Sequence, residues 1–139
     1  HRLKTVDPAL YAAVKDADAS VMRKYCRELV RRLVFGDDTE GVSAVAQAVA
    51  QALVAGNWPA KEEWAALASE YDKAQLLVGT QRPGLDGLEN AAQIVSHAQY
   101  FVEARRMEAL LCWERYGEDL ANVVYAAWVC GVRAELPRR

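Results

Sequence analysis

From Leu10 to Trp128 apolar side chains return every three or four residues, and no hairpin signal breaks the pattern. That period belongs to the α-helix, whose 3.6 residues per turn bring such positions onto one face, whereas a half-buried strand alternates every two. Composition points the same way. Of the 139 residues 25 are alanine, against 8 glycines and 4 prolines, and alanine is the best helix former while the other two are the worst. The chain therefore reads as all-α, a single-domain bundle of five to seven helices over residues 1–139. A chain of this length can fill one core.

Asp7-Pro8 offers a cap and a first-turn proline to a short helix running through Leu10, Tyr11 and Val14 to about Asp18. Ser20 is the expected cap of a second helix, in which Met22, Tyr25, Cys26, Leu29, Val30 and Leu33 form one apolar stripe until Phe35-Gly36. Thr39 or Ser43 would open a third, Val42 to Leu53, made of alanine, valine and leucine apart from Ser43, Gln47 and Gln51. Being almost wholly apolar, it is expected at the centre. Gly56-Asn57-Trp58-Pro59 closes it and leads into a fourth, with Pro59 in its first turn and Trp64, Leu67, Ala68, Tyr71, Ala74 and Leu77 as its buried stripe, ending at Gly79.

Thr80 to Gly84 has the strongest turn chemistry in the chain. Beyond Asp86 a helical pattern of about thirty residues runs from Leu88 past Trp113, longer than usual, so a kink is expected at the adjacent charges Arg105-Arg106. Glu118-Asp119 place negative charge at the start of a last helix carrying Leu120, Val123, Val124, Ala127 and Trp128, and Pro137 to Arg139 read as a frayed tail.

The uncharged stretch Val123 to Val132 has only ten residues, about half of what crossing a bilayer needs, so no membrane association is expected. The first residues show neither an apolar segment nor a cleavage site of signal-peptide type. Three cysteines, Cys26, Cys112 and Cys130, are odd in number and far apart, which argues against a secreted disulfide framework and for a reducing cytoplasm. Twelve arginines against five lysines, beside so many alanines, suit a bacterial source. The net charge of −2 conceals segregation: residues 1–36 carry +4, residues 37–89 carry −6, and residues 90–139 balance.

His97 is the only internal histidine, flanked at helical spacing by Asn90, Gln93 and Glu103, and no Glu-x-x-His pair exists. Zinc needs clustered His and Cys, and carboxylate-bridged metals in bundles need that pair, so neither metal nor cofactor is expected. As a general base His97 would need Ser96 or Cys112 brought to it by the fold, and the chain reads as non-enzymatic. The three cysteines lie among apolar neighbours and read as core side chains. Arg23, Lys24, Arg27, Arg31 and Arg32 put five positive charges within ten residues. Without aromatic interleaving, and with a sequence pI near 5.7, this stripe reads as a solvated or internally paired face and not as a nucleic-acid track.

Trp58 stands in a loop just before a helix that carries Glu62, Glu63, Glu70 and Asp72. An exposed indole beside carboxylates suits a basic protein partner, since opposite charge speeds encounter while the buried aromatic supplies affinity. These five residues are the expected partner-binding face, and the expected function is a non-catalytic bacterial protein-interaction module, such as an immunity- or antitoxin-like inhibitor of a basic partner. The alternative is a small-ligand-binding helical regulator, with a pocket lined by Tyr100, Phe101, Trp113, Tyr125 and Trp128 and with Arg105 or Arg106 as its polar contact.

Overall fold

The computed structural model describes residues 1–36, 41–79, 87–116 and 120–136, with the side chains of residues 79, 87–99 and 116 outside that description. Seven α-helices and no strand occur among the described residues: α1 (Arg2–Val6), α2 (Pro8–Asp16), α3 (Ala19–Phe35), α4 (Ala44–Val54), α5 (Lys61–Gly79), α6 (Gly87–Tyr116) and α7 (Ala121–Val129). The all-α bundle expected from the apolar period is what forms.

Side-chain caps explain most of the helix starts. Asp7 Oδ1 accepts from the Leu10 amide at 3.1 Å, with Pro8 in the first turn of α2. Asp18 Oδ1 accepts from the Val21 amide at 2.9 Å, so Asp18 and not Ser20 caps α3. Ser43 Oγ accepts from the Ala46 amide at 3.1 Å and opens α4. Each bond satisfies one of the amides that a helix start leaves without a partner. Thr39, the other cap expected for α4, lies outside the described residues, as do the turn Thr80 to Gly84, Glu118-Asp119 and the tail from Pro137.

The buried stripe of α3 is Met22, Tyr25, Cys26, Leu29, Val30, Leu33 and Val34, and it packs on α4, α6 and α7. α6 touches α3, α4, α5 and α7 and forms the axis of the bundle. α4 does not. Its Ala46, Val49, Ala50 and Leu53 are buried, but Gln47, Ala48 and Gln51 face solvent, so it covers one side of the core. Alanine explains the difference from the sequence reading, because it favours helix and tolerates exposure, which makes a one-sided helix look apolar all round.

α5 and α6 run antiparallel, with Gln75 meeting Arg105 and Tyr71 sharing a cleft with Glu108 and Cys112. α6 is one uninterrupted helix that passes through Arg105-Arg106. Arg105 is kept in place by an ion pair to Glu108 at 2.5 Å, a hydrogen bond to Gln75 and ring contacts with Tyr71 and Phe101. Adjacent arginines are good helix residues when their stems can lie along neighbouring apolar surface. The short α1, which the sequence pattern left unassigned, is held by the fully buried Leu3 and by packing on α2 and α7.

Candidate functional site

The corner between α4 and α5 is built by local rules. Gly56 adopts φ +83°, its amide donates to Leu53 O at 3.1 Å, and the Asn57 amide donates to Ala52 O at 2.9 Å. This is a Schellman closure, which needs a left-handed residue that glycine supplies without strain. The chain then passes Asn57 and Trp58, buries Pro59, and starts α5 after Ala60, whose amide donates to Glu63 Oε1 at 3.2 Å. Pro59 therefore precedes the helix and does not sit in its first turn. Glu63, three residues on, completes half of a capping box and fixes where α5 begins.

Trp58 is 61% exposed, yet it is not loose on the surface: its ring lies 5.3 Å from that of Trp64, at an angle of 50°. Trp64 itself is only 4% exposed, so a core indole supports a surface one. Beside Trp58 opens a cleft of about 290 Å³ with Arg23, Arg27, Leu53, Asn57 and Trp113 also in its wall. It joins α3, the α4–α5 corner and α6, which are distant in sequence.

The four carboxylates grouped with Trp58 in the sequence reading are distributed around α5. At about 100° per residue, Glu63 and Glu70 lie within roughly 20° of each other, Glu62 about 100° from Glu63, and Asp72 about 160° from Glu70. Glu62 and Asp72 are exposed, while Glu63 and Glu70 are half-buried along the flank. Glu70 lies close enough to α6 to help raise the Glu103 carboxyl above its ordinary value, although burial is the larger cause. Helix geometry thus pairs Glu63 with Glu70 and sets Glu62 and Asp72 on other sides.

The basic stripe of α3 also divides. Arg31 and Arg32 both bind Glu28, with shortest contacts of 2.6 and 3.0 Å, and Arg32 Nη1 donates to Arg133 O at 2.7 Å. Hydrogen bonds from the two guanidiniums hold the Glu28 carboxyl down at about 2. Arg23 and Arg27, one helical turn apart, instead line the Trp58 cleft.

The aromatic side chains proposed for a ligand pocket are dispersed. Phe101 is under Arg105 on the α5 side, Trp128 is under Arg133 at 4.6 Å, Trp113 borders the Trp58 cleft, and Tyr125 borders a different cleft with Tyr71 and Glu108. Burial explains the cysteines. Cys26 is fully buried with its Sγ 3.9 Å from Leu120 O, and desolvation pushes its thiol far up; Cys112 and Cys130, half-buried, are pushed up to about 11. Thiols this weakly acidic carry almost no thiolate at neutral pH and are poor nucleophiles. No group of three His, Cys, Asp or Glu able to hold a metal occurs among the described residues, and the side chain of His97 lies outside them. Nor, among those residues, is any helix long and apolar enough to cross a membrane. Comparison with protein families, with curated proteins and with solved structures finds no match.

Proposed function

We propose that this chain is a non-catalytic interaction module that seats a protein partner on the Trp58 corner. The observation that carries the reading is the indole itself, 61% exposed but backed by Trp64. Large rigid aromatics lose little conformational entropy on contact, which is why tryptophan dominates the energetics of interfaces. The turn that carries Trp58 is closed by its own hydrogen bonds and is therefore formed before any partner arrives. The finer form of the proposal is a bacterial, cytoplasmic, immunity- or antitoxin-like inhibitor of a basic protein, with Glu62, Glu63, Glu70 and Asp72 supplying a negative field around α5 that draws such a partner in.

The test is capture from a lysate of the source organism on three immobilised baits: the wild-type chain, Trp58→Ala, and Leu76→Ala as a control at another exposed apolar side chain. A protein held by the wild type and by Leu76→Ala but lost with Trp58→Ala is the expected result. Equal retention on all three baits contradicts the assignment.

A further inference from the structure

The cleft beside Trp58 holds two arginines, two indoles and one leucine, and no carboxylate lines it among the described residues. Arg23 and Arg27 are four residues apart on α3, so their side chains leave the helix on the same face. Arg27 is half-buried, and its Nε is shielded from solvent without a hydrogen-bond partner. An Nε–H that has given up water and found no acceptor is incomplete, and an incoming anion can complete it. In the other arginine-lined clefts a carboxylate is at hand: Glu28 binds both Arg31 and Arg32 beside Phe35, and Glu108 shares the wall with Arg2 and Arg115 beside Tyr71.

The remaining walls decide what kind of anion. Trp58, Trp113 and Leu53 offer apolar and π surface, which an inorganic anion would leave uncovered. A volume near 290 Å³ is at the small end for ligand sites and leaves room for about one ring with its acid group. We propose that this cleft binds a carboxylate carried on an apolar or aromatic body, with the anion on Arg27 and Arg23 and the body against Trp58. The same chemistry is offered by a free aryl carboxylate and by an acidic residue next to an aromatic one on a partner chain. The inference goes beyond the anchor reading and does not depend on it, since a partner can hold Trp58 with the cleft unused.

The experiment titrates the whole chain with phenylacetate, its neutral isostere phenylacetamide, inorganic phosphate and an end-blocked Phe-Glu dipeptide, following tryptophan fluorescence and heat. Trp58 and Trp113 both border the cleft and report its filling. Saturable binding of phenylacetate, of the dipeptide or of both is expected, about tenfold or more tighter than phenylacetamide and weakened by added salt. Saturation by phenylacetate alone identifies a free acid, and by the dipeptide alone a partner-borne one. Arg27→Gln is expected to lower the affinity by a similar factor and Arg31→Gln to leave it unchanged. The proposal is overturned if neither carboxylate saturates, if phenylacetamide or phosphate binds as tightly, or if a folded Arg27→Gln variant binds like the wild type. Should Arg27→Gln not fold, the acid-to-amide ratio on the wild-type chain decides alone. Loss of a captured protein on Trp58→Ala without carboxylate binding would keep the anchor reading and reject this one.

Discussion

Two pairs of arginines on the same helix have opposite fates. Arg31 and Arg32, near the end of α3, are exposed and tied to Glu28, so their charge is answered on the surface. Arg23 and Arg27, two turns and one turn before Arg31, are half-buried and border a cleft walled by Trp58 and Trp113. In the sequence they form one continuous basic run. The contrast shows that charge density along a helix says little about recognition until it is known which charges are tied to a carboxylate on the same surface and which border an apolar cleft.

The largest effect that would break this contrast comes from the support under Trp58. Trp64→Ala removes a buried indole shared by α5 and the corner, and a loss of about 3–5 kcal/mol in unfolding free energy is expected from denaturant titration. Trp64→Phe is expected to cost much less, because it keeps one aromatic ring in the site while removing an indole N–H that is buried without a partner. Gly56→Ala comes next. A Cβ there would meet no atom within 4 Å, so the cost is the left-handed backbone alone, about 1–2 kcal/mol, again read from denaturant titration. Trp58→Ala is expected to cost about 1 kcal/mol, well below Trp64→Ala, since most of its ring is in solvent and the contact with Trp64 is what the fold loses. A larger loss would mean that Trp58 serves the fold and not a partner.

The smallest effect belongs to the other arginine pair. The Glu28 carboxyl has a folded value of about 2, below its ordinary 4.5, so its ion pairs add stability above pH 4.5 that disappears as pH falls toward 2. Glu28→Gln should therefore be slightly less stable than the wild type at neutral pH and match it near pH 2. An exposed pair is screened, and the neutral-pH difference should shrink further in high salt. Acid unfolding followed by circular dichroism at two salt concentrations checks the sign and the window.

How far these features are legible in the sequence depends on whether they are local. The stripe of α3, the caps Asp7 and Ser43 and the stop at Gly56 rest on residues within one or two turns, and reading along the chain finds them. The bond from the Ala60 amide to Glu63 is local too, but placing Pro59 in the first turn of the helix shifts the start of α5 and hides it. The division of the α5 carboxylates follows from helix geometry: Asp72 is two residues past Glu70 and so projects from nearly the opposite side. Nothing in the chain order, by contrast, signals that Arg27 and Trp113 border one cleft with Trp58. Their meeting requires α3, α4, α5 and α6 to be packed already. The same holds for Arg105, whose partners Gln75 and Tyr71 come from another helix and let α6 pass through two adjacent charges without a break.

The central claim is that Trp58 is presented for a partner, and site-specific photocrosslinking in the source organism tests it most directly. A benzophenone side chain placed at position 58 is compared with one at position 76, also exposed and apolar but far along α5. The account predicts a discrete protein adduct from position 58 that is absent from position 76. No adduct at 58, or the same adducts from both positions, would contradict it.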